Sequence, residues 1–283
     1  MVYTGSALEC IEEILFNSVR LVKGTDYTVT YRDNTNVGNG KVSIVGKGNF
    51  AGSTLKSFAI TPKSLTDASV TLSKSSFTYN GSSQKPAVTV KDGGKKLTEN
   101  KDYTLSFSDT VNAGTVTITI TGMGNYNEST TKTYVINKKA ISESDVVLDN
   151  NTLAYNGKEQ KPNLTITSGS LTLTEGTDYD VTYENNTNVG TADITITAKG
   201  NFTGTIPAEF YIKYVKGDVD GDGIVTVMDV TFIQRYLSGL NTSPFVEEAA
   251  IIEGDEIEII DATWIQRYIA EMEIPVDVNT FIS

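Results

Sequence analysis

Gly24-Thr25-Asp26-Tyr27-Thr28-Val29-Thr30-Tyr31 decides how this chain is read, because it occurs three times. It returns as Asn100-Lys101-Asp102-Tyr103-Thr104-Leu105-Ser106-Phe107 and as Gly176-Thr177-Asp178-Tyr179-Asp180-Val181-Thr182-Tyr183. Asp26, Asp102 and Asp178 stand 76 residues apart, without a gap. A fixed period of this length marks stacked modules before any local propensity is considered. Outward from the octet, Gly48-Asn49-Phe50, Gly124-Asn125-Tyr126 and Gly200-Asn201-Phe202 keep the same spacing. Upstream, Tyr79-Asn80-Gly81 matches Tyr155-Asn156-Gly157, and Tyr3-Thr4-Gly5 is the element of the first copy.

Within each copy the runs are short and alternating. Val116-Thr117-Ile118-Thr119-Ile120 and Ile194-Thr195-Ile196-Thr197 put β-branched apolar groups on one face and threonines on the other, which is the pattern of half-buried antiparallel strands. Asn80-Gly81, Asn156-Gly157 and Gly93-Gly94 supply the positive φ that tight turns require. Several such strands in about 76 residues predict a small β-sandwich. Regular periods also predict separately folded modules joined at small interfaces. The boundaries read as 1–62, 63–138 and 139–214 for the three modules, with 215–283 as a different, C-terminal one. The first copy is expected to begin inside its module: the later copies carry a leading strand, Ser69-Val70-Thr71-Leu72 and Asp145-Val146-Val147-Leu148, whose counterpart would precede residue 1. Its stretch Ile11 to Val19 has lost the alternation.

The repeats also limit the chemistry. An aspartate at one position of every copy reads as a turn cap, since Asp and Asn side chains bond the nearby backbone. Asn49, Asn125 and Asn201 read as residues that tolerate left-handed backbone, and Tyr27, Tyr103 and Tyr179 as core packing rather than a platform for sugars. The chain has no histidine, which removes the usual general base and the Ser-His and Cys-His nucleophile systems. Its one cysteine, Cys10, cannot close an intrachain disulfide and reads as a small buried apolar residue. With 35 acidic against 23 basic residues, the net charge of −12 repels phosphate and anionic lipid, so neither nucleic acid nor membrane insertion is expected. Met1 to Arg20 lacks the basic and then apolar pattern of a secretory leader, so it carries no direct address.

The repeated octet, the following Asn and Gly, and the Gly-Asn-aromatic turn resemble the bacterial immunoglobulin-like repeats found in tandem on large surface and secreted proteins. That resemblance covers residues 1 to about 214 and implies a mainly β, non-catalytic stalk outside the cell, of three tandem sandwiches.

After Ile212 the composition changes. Asp218-Val219-Asp220-Gly221-Asp222-Gly223-Ile224-Val225-Thr226-Val227-Met228-Asp229 is a 12-residue loop with carboxylates at positions 1, 3, 5 and 12 and glycine at position 6. Calcium takes six to eight hard oxygens, and the side chains of Asp218, Asp220, Asp222, Thr226 and Asp229 with the Ile224 carbonyl fit that demand. A helix follows, with Val230, Ile233, Leu237 and Leu240 as its apolar face. Asp261 to Ile269 repeats Asp229 to Leu237 at a spacing of 32. Between them, Ser243-Pro244 reads as the N-cap and first residue of a short middle helix running toward Ala250.

This duplicated loop and helix resembles the dockerin domain, a small EF-hand-like α-helical module that docks subunits onto cohesins in a calcium-dependent way. By position, the resemblance implies cohesin contacts at Val227, Met228, Thr231, Phe232, Gln234 and Arg235, and by duplication at Ile259, Ile260, Thr263, Trp264, Gln266 and Arg267. The second loop departs from the pattern. Counting back from Asp261 puts Ala250, Ile252 and Gly254 at the first three ligand positions, so one calcium is expected in the first loop and the spacing across Glu253–Asp261 speaks against a second. The five residues Lys213 to Gly217 form so short a joint that the helical module is expected to abut the third sandwich. The leading expectation is a bacterial extracellular or cell-surface stalk that is not an enzyme and whose dockerin binds a cohesin. The alternative is an adhesion or polysaccharide-binding protein in which the sandwiches bind and the helical end is a structural cap.

Overall fold

Strand Gly114–Gly122 shows how the alternation becomes a sheet: Val116, Ile118 and Ile120 are buried in turn. In the computed structural model, which describes residues 1–282, this strand pairs antiparallel with Tyr103–Phe107 on one side and Ser129–Asn137 on the other. Ser76–Thr78 joins Ser129–Asn137 in parallel. A second sheet, with Val88–Asp92 between Ser69–Leu72 and Lys95–Lys96, completes the sandwich. The third copy repeats the plan. Gly190–Ala198 lies between Tyr179–Glu184 and Thr205–Lys213, Thr152–Ala154 joins the latter in parallel, and Leu164–Ser168 pairs with Val146–Leu148 and Leu171–Thr172 in the facing sheet. The described residues are mostly β, with three α-helices near the C-terminus. Among the described residues no helix is long and apolar enough to cross a membrane.

The repeated aspartates cap turns, as their recurrence suggests. The Oδ2 atoms of Asp26, Asp102 and Asp178 accept the N–H of the residue four positions earlier, at 2.8, 2.8 and 3.0 Å. Tyr27, Tyr103 and Tyr179 are buried, and burial raises the phenols of Tyr103 and Tyr179. The asparagines differ from expectation. Left-handed backbone is carried by Gly48, Gly124 and Gly200, with φ of 65°, 65° and 60°. A Cβ at Gly124 would also stand 2.9 Å from the Lys101 carbonyl, so the turn excludes any larger residue. Asn125 is thereby free to make a long-range contact. Its Oδ1 accepts the Val37 N–H at 2.8 Å and its Nδ2 donates to Asn36 Oδ1 at 3.0 Å, tying the second copy to the first.

The first copy keeps only part of the sandwich. Tyr27–Arg32, Gly38–Gly46 and Ser53–Ile60 form an antiparallel sheet. Where the later copies build a second three-stranded sheet, this one has the two-residue strands Leu15–Phe16 and Val19–Arg20, joined through Asn17 and Ser18 at φ of 49° and 67°. Without period-2 alternation the apolar groups cannot share one face, and Leu15, Phe16 and Val19 remain exposed. Cys10 is half-buried, and so less enclosed than expected.

The chain divides into two compact units, Met1–Asn137 and one beginning at Lys138. In the first, the first and second copies share a core: Tyr3, Leu8 and Ile60 cluster with Leu65, Tyr103, Val116 and Tyr126, and Tyr3 meets Tyr126 edge to face at 5.6 Å. A small interface between these two copies is therefore not what forms. Through Tyr3, Leu8 and Ile60 the first copy packs against the second.

Candidate metal centre and helix faces

Three aspartates of the first loop converge. Ligand oxygens of Asp218, Asp220 and Asp222 lie within 4.8 Å of one another, and alternate spacing alone does not achieve this in an open chain. The loop is curled by its own carboxylates: Asp218 Oδ1 and Oδ2 accept from Asp222 N and Gly223 N at 3.1 and 3.0 Å, and Asp222 Oδ1 accepts from Ile224 N at 2.9 Å. Gly221 and Gly223, at φ of 70° and 93°, let the backbone turn this tightly.

Asp229 closes the loop from below. Its Oδ1 accepts from Val219 N and Asp220 N at 2.7 and 3.1 Å and its Oδ2 from Thr226 N at 2.7 Å, while the residue is fully buried. A carboxylate offers about four acceptor directions; three go to amides, and the fourth holds only the Thr226 hydroxyl at 3.4 Å, a long bond that a cation would displace. Thr226 is the N-cap of the following helix, its Oγ1 accepting from Met228 N at 3.1 Å. The Ile224 side chain is exposed. Of the expected ligand side chains, three carboxylates therefore form the cluster, and Asp229 and Thr226 brace it.

The electrostatics fit a cation. Burial pushes the Asp218 carboxyl up to about 6, against the lowering effect of the Gly223 N–H, and Asp229 raises it further. Burial raises Asp220 and Asp229 too. Clustered, partly desolvated carboxylates are a set of hard oxygen donors suited to calcium, whose charge would offset their mutual repulsion.

Three helices follow: α1, Val227–Leu237; α2, Glu247–Ala250; and α3, Ile259–Ile269. α2 begins later than expected: Val246 is its N-cap, and Ser243-Pro244 lies in the preceding loop. The second loop keeps the brace without the cluster. Asp261 Oδ1 accepts from Ile252 N and Glu253 N at 2.9 and 3.0 Å, and its Oδ2 from Glu258 N at 2.7 Å, copying the three amide bonds of Asp229. Glu253 instead accepts from Trp264 Nε1 at 3.0 Å, and among the described residues the acids of this loop form no metal-holding group.

The core of the helical module holds Val219, Val230, Ile233, Ala250, Ile252, Ala262, Ile265 and Val278. Val230 and Ile233 are thus core, as expected. Leu237 and Leu240 are not: α1 ends at Leu237, Gly239 at φ 72° turns the chain, and both leucines stay exposed. Phe232 and Trp264, expected as cohesin contacts, are half-buried and pack against the core. Arg267 stacks over Trp264 at 5.2 Å. The arginines clamp helix ends: Arg235 Nη2 donates to the Asn241 carbonyl and Arg267 Nη2 to the Glu273 carbonyl, each at 2.8 Å. Ile260 is half-buried, whereas Val227, Met228, Thr231 and Gln234 on α1, and Ile259, Thr263 and Gln266 on α3, are exposed. Val227 and Ile259 open the two helices at 62% and 61% exposure.

Two contacts had no sequence signal. The chain end returns to the start of the module, with Lys216 N bonded to Thr280 O at 2.8 Å, Asn279 N to Lys216 O at 2.7 Å and Ile282 N to Tyr214 O at 2.9 Å. Tyr155 of the third sandwich meets Tyr214 edge to face at 5.1 Å and lies beside Gly221 of the loop. The helical module does abut the third sandwich, as the short joint requires.

Residues 216–270 match the dockerin type I domain, which identifies the C-terminal module as a dockerin. No curated protein matches the chain. Among solved structures, the protocadherin gammaB7 EC3-6 cis-dimer superimposes at 11% identity over 77% of this chain and 73% of that one, with a TM-score of 0.21. The protocadherin GammaB4 extracellular domain does so at 10% identity over 77% and 48%, with a TM-score of 0.19. Superpositions this loose establish no function.

Proposed function

We propose that this chain is a non-catalytic stalk of three immunoglobulin-like modules, 1–62, 63–138 and 139–214, ending in a dockerin over 215–283 that binds one calcium ion and docks on a cohesin of a bacterial scaffold or cell surface. Dockerin domains bind calcium and cohesins, which supports the general role. The observation that carries the finer reading is the duplicated exposed face at the N-terminal ends of α1 and α3. Val227 and Ile259 occupy the same helical position in the two copies, with Thr231 and Thr263 one turn on, their hydroxyls donating to the Val227 and Ile259 carbonyls at 3.1 and 3.2 Å. Apolar groups held on rigid helix starts suit a partner surface. Met228, Gln234 and Gln266 extend it, and Arg235 and Arg267 frame it while clamping the helix ends. Phe232, Ile260 and Trp264 support it from beneath.

Asp218, Asp220 and Asp222 hold the ion, with Asp229, Thr226 and the Ile224 carbonyl completing its shell. One calcium suffices because Asp261 braces the second loop directly. The burial of Tyr27, Tyr103 and Tyr179 leaves the polysaccharide-binding reading without its platform. Titrating a panel of cohesins into the whole chain tests the proposal. We expect one partner to bind in calcium, and Val227→Asp with Ile259→Asp to abolish that binding without lowering the melting temperature. Undiminished binding by that double variant would move the docking surface elsewhere.

A further inference from the structure

The calcium loop is enclosed on two sides, and one of them belongs to another module. A Cβ built on Gly221 would stand 3.2 Å from Val246 Cγ2 and 3.4 Å from Tyr155 Cε1, so the loop backbone is held between the segment leading into α2 and the ring of Tyr155. A Cβ on Gly223 would stand 3.2 Å from the Asn156 Cβ and 3.6 Å from the Tyr155 carbonyl. Gly221 and Gly223 flank the ligand Asp222, so the turn of the third sandwich rests on the backbone that aims the carboxylates. The turn is itself rigidly mounted. Tyr155 N donates to the Lys213 carbonyl at 2.9 Å, Asn156 Oδ1 accepts from Lys158 N at 3.0 Å, and Tyr214 buttresses the Tyr155 ring at 5.1 Å. On the loop's other side Val246 N donates to the Val219 carbonyl at 2.8 Å. In the second loop, Glu253 and Asp255 stand at the two equivalent positions and are exposed.

We propose that the Tyr155-Asn156-Gly157 turn is a built-in partner of the calcium loop, so that the third sandwich strengthens calcium binding and calcium in turn stiffens the joint between sandwich and dockerin. The inference rests on calcium occupying the first loop. Like charges at Asp218, Asp220 and Asp222 push the empty loop open, and the turn limits how far its backbone can move, which reduces the ordering that calcium must impose. Coupling of this kind is reciprocal: whatever factor the turn contributes to calcium affinity, calcium contributes to seating the turn.

The test uses the whole chain. Calcium calorimetry should find Tyr155→Ala weaker than wild type by about fivefold or more, while Tyr155→Phe, which keeps the ring atoms that touch the loop, binds as wild type does. Because Tyr155→Ala also removes packing from the sandwich, hydrogen exchange of the unmodified chain gives an independent reading. Calcium should slow exchange at residues 153–158 along with 216–230 and leave 114–122 unchanged. Wild-type affinity in Tyr155→Ala, or calcium protection confined to the dockerin, would overturn the coupling and leave the metal site standing. No calcium binding by the wild-type chain would overturn both.

Discussion

Replacing Asp218 by asparagine should strengthen the calcium-free dockerin and cripple the calcium-loaded one. Asp218 is 2% exposed, and burial moves its carboxyl to about 6. A carboxyl raised to that level from its ordinary value near 3.9 disfavours its ionised form by about 3 kcal/mol. Because the folded value lies above the unfolded one, this stability is fully present below about pH 4 and is lost as pH rises through about 6. Asp220 and Asp229 shift the same way. The Asp218→Asn side chain carries no charge to desolvate but keeps only one acceptor oxygen, so one of the bonds from Asp222 N and Gly223 N is lost, at about 1 to 2 kcal/mol. The net gain near pH 7.5 in chelator is about 1 to 2 kcal/mol, which raises the melting temperature of a module this size by roughly 4 to 15 °C. In calcium at a thousand times its dissociation constant the wild type gains about 4 kcal/mol, and the variant, short of one charged ligand, gains far less. Differential scanning calorimetry at pH 7.5 and pH 5, with chelator and with calcium, reads all four states. The order of melting should invert between chelator and calcium, and the wild-type module in chelator should melt higher at pH 5 than at pH 7.5. A variant less stable than wild type in chelator, or stabilised by calcium as much as wild type, would refute the electrostatic reasoning.

Two further substitutions separate packing from contact. Phe232→Ala removes a half-buried ring from the helical core and should destabilise the dockerin by about 2 to 4 kcal/mol, seen as a lower melting temperature with or without a partner; an unchanged melt would return Phe232 to the docking face. Asn125→Ala deletes the bonds to Val37 N and Asn36 and should cost about 1 to 2 kcal/mol, with faster hydrogen exchange at Val37 as the local signature; unaltered exchange there would show that the shared core alone joins the first two copies.

Where the chain obeys its period, the sequence is legible. Val116, Ile118 and Ile120 alternate in composition and alternate in burial, and Asp26, Asp102 and Asp178 recur because each makes the same local bond. The loop Asp218 to Asp229 is readable for the same reason, since its chemistry is written in consecutive residues. What escaped depends on contacts between distant segments. Asn125 looks like a turn residue until its glycine neighbour is seen to hold the left-handed backbone and its side chain to reach Val37, 88 residues away. The resemblance puts Phe232 and Trp264 among the cohesin contacts, yet both are half-buried against the core that the whole module assembles. The return of the chain end onto Tyr214 and Lys216 uses backbone atoms alone, which no side-chain pattern announces. The first copy shows the converse: the lost alternation of Ile11 to Val19 is visible, but its sharing of a core with the second copy appears only once Tyr3 and Tyr126 are brought together.

Calcium calorimetry of the whole chain, beside the same titration of Asp222→Ala, tests the central claim most directly. Convergent carboxylates in one loop and a braced but unligated second loop predict a single site, with one ion bound per chain and no binding in the variant. Two ions per chain, or a wild-type titration without heat and without a change in melting temperature, would contradict it.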